Sequence, residues 1–333
     1  MRARRRRFLI SAGAVVASPL VRARDAGRLP KIGFLIPNPR PAPADRARDP
    51  VRRRMNQLGW IDGQSNTYEV ASADGHEDRL PALATELVAK NVDVIWAAGP
   101  EAAVAAARAT NTIPIAFYGV GNPVELGLVD SLANPGRNVT GLASGTEAWP
   151  KGLEVLKELT PGKNRLAHIA VETIRVTVAG DRINVVDQSI QSAAAHLGFE
   201  VRSWSVAKRE DFEGVFEAIR QAGSQVLFCN FTALTFRERR RIAEFANRGG
   251  LPSAFGAAPF VEAGGLVSYG PNRMGMILDS LNYVDRILRG ARPADLPVEL
   301  PRKFDLSLNL KTASALGLTI PQSILLRADK VIE

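Results

Sequence analysis

Residues 74–101 read DGHEDRLPALATELVAKNVDVIWAAGPE, and two periodicities meet inside this stretch. Leu80, Leu83, Ala84, Leu87 and Val88 recur at i, i+3, i+4, i+7 and i+8, the spacing that gathers apolar side chains into one helical stripe. Upstream, Asp74-Gly75-His76-Glu77-Asp78 offers N-cap candidates and first-turn acids, and Pro81 suits an early helical turn. Val94–Ala98 is then wholly apolar, as expected for a strand buried on both faces. Gly99-Pro100-Glu101 ends it. A helix feeding an apolar strand that stops at a Gly-Pro turn is the repeating unit of a parallel α/β sheet.

The same rhythm extends in both directions. Strands are predicted at Ile32–Ile36, Ile113–Tyr118 and Val139–Ala143, and again at Leu166–Val171, Glu200–Val206, Gln225–Cys229 and Leu266–Tyr269. Helical stripes fall at Ile183, Val186, Ile190, Ala193 and Leu197, at Phe212, Val215, Phe216 and Ile219, and at Met274, Ile277, Leu278, Leu281 and Leu288, the last stopped by Gly290. The alternation restarts, residues 31–143 forming one unit and 164–270 a second of similar length. A long helix follows, then a Pro-rich passage (Arg292–Pro301) and a strand over Lys303–Leu310. Two α/β lobes joined by several chain crossings describe a hinged binding protein; two independent domains in series satisfy the periodicity equally.

Bulk composition agrees with two domains. At 333 residues the chain is longer than the roughly 250–300 at which one core stops growing. The formal charge of +9 suggests nucleic acid until its distribution is examined. Arg2, Arg4, Arg5, Arg6, Arg7 and Arg22 stand in residues 1–23, which hold no acid; without them 37 basic residues face 34 acidic ones. The excess belongs to a leader, and no nucleic-acid partner is expected. In that leader a basic n-region precedes the mostly apolar Phe8–Leu20, and Val21-Arg22-Ala23 suits cleavage after Ala23. Arg5-Arg6-Arg7-Phe8-Leu9 fits a twin-arginine signal, and a general secretory signal rich in arginine accounts for the same residues. Cys229, the single cysteine, follows Val226-Leu227-Phe228 and is expected to be a buried, inert thiol.

Open α/β sheets bind ligands beyond the carboxyl ends of their strands. In the first half the junctions there are Pro37-Asn38-Pro39, Gly99-Pro100-Glu101, Gly121-Asn122-Pro123, and Thr140-Gly141 running on to Ser144-Gly145-Thr146. Free backbone N–H groups at such turns suit an anion, although plain capping and turn chemistry explains each junction as well. The second half offers Glu172-Thr173, Asn230-Phe231-Thr232 and Phe255-Gly256. Glu172 in a cleft would receive an ammonium group while the first half's helix ends receive a carboxylate, which describes an amino-acid site; an exposed loop glutamate is the plainer account. Enzyme signatures are missing. No Gly-x-Gly-x-x-Gly follows Ile32–Ile36, and there is no P-loop and no Gly-x-Ser-x-Gly. His76, His168 and His196 lack metal spacing, so no metal or cofactor is expected. Arg237-Glu238-Arg239-Arg240-Arg241 is expected to be a solvated helical face.

A series of short blocks carries a more specific signal. Ile32-Gly33-Phe34-Leu35, Glu77-Asp78-Arg79-Leu80-Pro81 and Thr112-Ile113-Pro114-Ile115 come first, followed by Asn122-Pro123-Val124 and Asn134-Pro135-Gly136-Arg137-Asn138-Val139-Thr140-Gly141. Gly264-Gly265-Leu266-Val267-Ser268-Tyr269-Gly270, Ala294-Asp295-Leu296-Pro297-Val298-Glu299 and Ala315-Leu316-Gly317-Leu318-Thr319-Ile320-Pro321 complete the order. In them the chain closely resembles the bacterial ABC-transporter substrate-binding protein family, whose better-known members bind tryptophan or tyrosine. The resemblance implies a type I periplasmic-binding fold, with two Rossmann-like lobes of parallel sheet joined by a multi-crossover hinge. Residues 30–143 with 271–290 would form one lobe and 144–270 with 300–333 the other. It implies a monomeric, periplasmic, non-enzymatic protein that closes on a small-molecule ligand and docks on an inner-membrane ABC permease. Gly99, Pro100, Glu101, Asn122, Pro123, Thr140 and Gly141 are carried over as ligand-facing; Asn38, Glu172, Thr173, Asn230 and Tyr269 join them by position at strand ends. The family usually shows Asp-Pro where Asn122-Pro123 stands. A sensing module for a membrane receptor shares this fold, and an exported α/β enzyme is the third reading.

Overall fold

Two parallel sheets built in the same order organise the chain. The computed structural model describes residues 28–39, 49–145, 148–171, 175–178 and 181–333, so the expected leader lies outside the described residues. The first lobe runs β1 (Lys31–Ile36), α1 (Pro50–Gln57), β2 (Thr67–Ser72), α2 (Leu80–Ala89), β3 (Val94–Ala98), α3 (Gly99–Ala109), β4 (Ile115–Val120) and β5 (Val139–Ala143). Its strands lie side by side as β2-β1-β3-β4-β5, all parallel. The second lobe begins with α4 (Ala148–Leu159), β6 (Arg165–Val171), β7 (Arg175–Val178), β8 (Asp181–Asn184), α5 (Val185–His196) and β9 (Glu200–Val206). It continues through α6 (Asp211–Gln221), β10 (Val226–Cys229), α7 (Ala233–Arg237), α8 (Arg239–Arg248), β11 (Ser253–Phe255), α9 (Ala258–Glu262) and β12 (Val267–Pro271). After α10 (Arg273–Leu288) come β13 (Phe304–Asn309), α11 (Leu310–Ala315), α12 (Gln322–Leu325) and β14 (Lys330–Ile332). The larger sheet is ordered β14-β13-β12-β11-β10-β6-β9. Within it β9-β6-β10-β11-β12 repeats the parallel order of the first lobe, and β13 adds antiparallel to β12.

The continuous apolar strands are explained by cover on both faces. Ile32, Phe34, Val94, Trp96, Ala116 and Tyr118 share one face with Met55 of α1 and Leu281 and Val284 of α10. Leu35, Ile95, Ala97, Ile115 and Phe117 point the other way, against Leu80, Ala84 and Leu87 of α2 and the alanines of α3. Although α10 follows the second lobe in sequence, it docks on the first: Trp96 Nε1 donates to Ser280 Oγ at 2.9 Å, and Trp60 Nε1 donates to Asp285 at 2.8 Å. The chain therefore passes between lobes after β5, after β12 and before β13.

Several expectations are corrected. Asp74 and Gly75 adopt left-handed conformations (φ 53° and 90°), and α2 starts through a 3-10 turn at Glu77–Arg79 without a side-chain cap. Ile183 lies in β8 rather than in the following helix. The half-buried edge strand β2 and the short β11 and β14 have no apolar run to announce them. The basic cluster is not a solvated face: Arg237 and Arg241 make ion pairs with Glu77 and Glu213, and Glu238 between them is buried.

Candidate functional site

In a sheet ordered 2-1-3-4-5 the connections leave in opposite directions between strands 1 and 3, which opens a crevice at their carboxyl ends. Each lobe has one such crevice. The first lies beyond β1 and β3, where Asn38, Gly99 and Pro100 stand; the second lies beyond β6 and β10, where Asn230 stands. They open onto one cavity of about 650 Å³ between the lobes. Asn38, Gly99, Pro100, Glu101 and Asn122 line it from the first lobe, and Asn230, Phe231, Thr232 and Gly256 from the second. Gly99 begins α3 at φ 85°, a left-handed conformation that favours glycine at this turn.

Of the residues selected from sequence, six reach the cavity and four do not. Thr140 and Gly141 lie inside β5, which runs on to Ala143, so Ser144 and Gly145 line the cavity in their place. Thr140 is fully buried and its hydroxyl donates to Leu296 O at 2.6 Å, tying the returning Pro-rich segment to the sheet. Gly141 is demanded by strand pairing: a Cβ there would sit 2.1 Å from Phe117 O on β4. Pro123 is buried in the turn after Asn122, its carbonyl accepting from Leu128 N. Tyr269 packs inside the second lobe, stacked on Phe304 at 5.8 Å. Glu172 and Thr173 lie outside the described residues.

The polar groups facing the cavity differ in how they are occupied. Asn122 Oδ1 accepts from Glu125 N at 3.3 Å and so serves its own turn. Asn38 Oδ1 accepts from Arg237 Nη1 at 3.4 Å. Asn230 is 5% exposed, and its Oδ1 has no hydrogen-bond partner. A buried acceptor left open costs free energy unless something fills it.

Sequence reasoning missed the aromatic wall and the cation beside it. Phe34, Trp96 and Tyr118 line one side, with Trp96 and Tyr118 stacked at 4.9 Å and Phe34 tilted on Trp96 at 5.3 Å. Their only signal was position, alternate residues near the carboxyl ends of predicted strands. Arg273, the first residue of α10, lays its guanidinium 4.0 Å from the Phe231 ring centroid and 5.7 Å from that of Phe236, both in the second lobe. Its Nη2 donates to Tyr118 OH at 3.1 Å. Burial pushes the Tyr118 phenol up while Arg273 opposes the shift, which keeps the hydroxyl protonated and able to accept. Arg52 pairs with Asp62, and Lys90 with Glu69 and Glu86, whereas Arg273 has no ion pair among the described residues.

One ion pair joins the lobes at the mouth of the cleft. Arg237 Nη1 and Nη2, at the end of α7, meet Glu77 Oε1 and Oε2 at 2.7 and 3.1 Å. Its side chain also covers Gly75, where an added Cβ would fall 3.2 Å from Arg237 Nε. Cys229 is fully buried on β10 and burial drives its thiol well above the ordinary range, so it is no nucleophile.

Comparison with known proteins gives one consistent picture. Residues 41–332 match the model of the family described as ABC transporter substrate binding protein. A tyrosine-binding protein of Clostridioides difficile (strain R20291) is 24% identical over 274 residues, which are 82% of this chain and 77% of that one. A conserved domain protein from Vibrio cholerae has a solved structure that superposes with a TM-score of 0.82 at 26% identity, covering 91% of this chain and 100% of that one. An ABC domain from Streptococcus pneumoniae in complex with L-Trp gives 0.80 at 22% identity, covering 92% and 100%. Type I periplasmic binding proteins share the fold.

Proposed function

Because the chain belongs to the ABC transporter substrate-binding protein family, we propose that it is the exported receptor of an importer, capturing a small molecule between its lobes and presenting it to a membrane permease. The family binds substrates and does not transform them. The observation that carries the reading is the cavity itself: two crevices of the same construction open onto one space of about 650 Å³, within the usual range for small-ligand sites. Tyrosine and tryptophan are the ligands named for two relatives, and the wall of Phe34, Trp96 and Tyr118 supports an aromatic compound or amino acid here. Asn38, Gly99, Pro100, Glu101, Asn122 and Asn230 are the proposed contacts.

Ligand touching both lobes favours the closed arrangement over the open one by its differential affinity, and the crossings after β5, after β12 and before β13 act as the hinge. In this reading residues 30–143 with 271–290 move against 144–270 with 300–333, as a monomer in the periplasm after removal of residues 1–23. Among the described residues no helix is long and apolar enough to cross a membrane.

A thermal-shift screen of the mature protein against metabolites tests the proposal. A ligand at 100 times its Kd stabilises the native state by about 2.7 kcal/mol, and X-ray scattering should then report a smaller radius of gyration. A stabilising ligand whose binding is indifferent to Asn230→Ala would remove the cleft as its site.

A further inference from the structure

We propose that Arg273 holds the anionic group of the ligand, an aromatic compound that carries a carboxylate. This rests on the reading of the inter-lobe cavity as the binding site. Two observations converge.

The first is the state of the cation. A guanidinium presents five N–H donors in a planar fork. Stacking on Phe231 covers a face of that plane and Tyr118 OH takes one donor, which leaves edge N–H groups for a ligand. In the closed arrangement the bond to Tyr118 and the ring together fix the side chain. A carboxylate could then be met bidentately, the geometry for which arginine is suited.

The second is adjacency. Arg273, Phe231, Trp96 and Tyr118 all line the one cavity, so the flat body of the ligand and its negative end each have a place in one site.

Isothermal titration with 4-hydroxyphenylacetate and indole-3-acetate, the corresponding amides, and L-tyrosine and L-tryptophan tests the assignment. The acids should bind, and the neutral amides should bind about tenfold more weakly or worse, the scale of a lost charge-assisted hydrogen bond. L-tyrosine and L-tryptophan should lose affinity in Arg273→Met as the acids do, since they carry the same carboxylate. Arg273→Met should cost the acids at least about tenfold while Arg273→Lys, which keeps the charge and loses the fork, should fall between. Apo melting temperatures of both variants separate this loss from misfolding. Amides binding as tightly as the acids, or undiminished acid binding in a folded Arg273→Met, would overturn the proposal. A ligand insensitive to Arg273→Met but lost in Asn230→Ala would overturn the anion assignment and leave the cleft as the site; indifference to both substitutions would overturn the two together.

Discussion

Removing the Arg237–Glu77 bridge should loosen the closed form without unfolding either lobe. The pair is bidentate, 2.7 and 3.1 Å, with side-chain exposures of 23% and 17%. Fully exposed pairs contribute roughly 0–1 kcal/mol, and breaking a fully buried one costs about 3–5. This pair is intermediate, half-shielded by the facing lobe, so about 1–2 kcal/mol is the reasonable figure. Because its partners sit on different lobes, that energy acts on the open–closed equilibrium and not on either core. One to two kcal/mol corresponds to a factor of roughly 5–30. If the apo protein is mainly open, Arg237→Met weakens the apparent Kd by that factor; if it is mainly closed, the radius of gyration of the apo protein rises instead. Titration calorimetry and X-ray scattering on the same variant read both. Glu77→Gln should act in the same direction, and the double variant should cost less than the two singles summed, since one interaction is lost once. Rising salt should mimic the variant in part. Unchanged affinity and unchanged radius in Arg237→Met would show that the pair forms in both arrangements, and the latch would have to be abandoned.

Two other expectations concern the scaffold. Gly141→Ala forces a Cβ to within 2.1 Å of Phe117 O at a backbone φ of 152°, so β4 and β5 must part; strain and overpacking together should cost about 3 kcal/mol or more, seen as a fall in Tm of roughly 10 °C. A Tm within a degree of wild type would disprove the close approach. Asp211 accepts from Ala207 N and Lys208 N at 2.8 and 3.0 Å, and these bonds hold its carboxyl below the usual range. A depressed folded pKa contributes stability that is present above the unfolded value and disappears as pH falls through the folded value. Asp211→Ala should therefore lower the melting temperature at pH 7 and converge on wild type in acid; a gap that persists at pH 2 would contradict this.

Strands of four or more residues were legible where both faces are covered, because a doubly buried strand such as Val94–Ala98 has no polar residue to interrupt it. Helices with a clear apolar stripe, α2, α5, α6 and α10, were legible, whereas α1, α3 and α4 were not singled out. The short β11 and the half-buried β2 were not, since neither carries an apolar run. At the site, turns marked by Gly, Pro or Asn were found because such residues are needed where a strand hands over to a helix: Asn38, Gly99, Asn122 and Asn230 all reach the cavity. The same rule failed at Thr140-Gly141, where the glycine serves strand contact and the strand continues past it. Side chains that work from within the sheet were invisible for a different reason. Trp96 and Tyr118 have the composition of core, and only strand register shows that their faces run out under the cleft. Glu77 and Arg237 are 160 residues apart in sequence and meet only when two lobes come together.

The placement of Arg273 ties recognition to motion. It is the first residue of α10, reached directly from the crossing after β12, and α10 is bound to the first lobe through Ser280 and Asp285. Its guanidinium nevertheless stacks on Phe231 and Phe236 of the second lobe while it donates to Tyr118 of the first. Those contacts fix the spacing between the lobes at the hinge end of the cleft, as Arg237 and Glu77 do at its mouth. A ligand anion seated on Arg273 would neutralise a charge held against aromatic rings in a half-dry site, where electrostatic interactions are stronger than in water. Binding and closure would then share one residue: the group that recognises the ligand's charge is also a group whose stacking requires the lobes to be together.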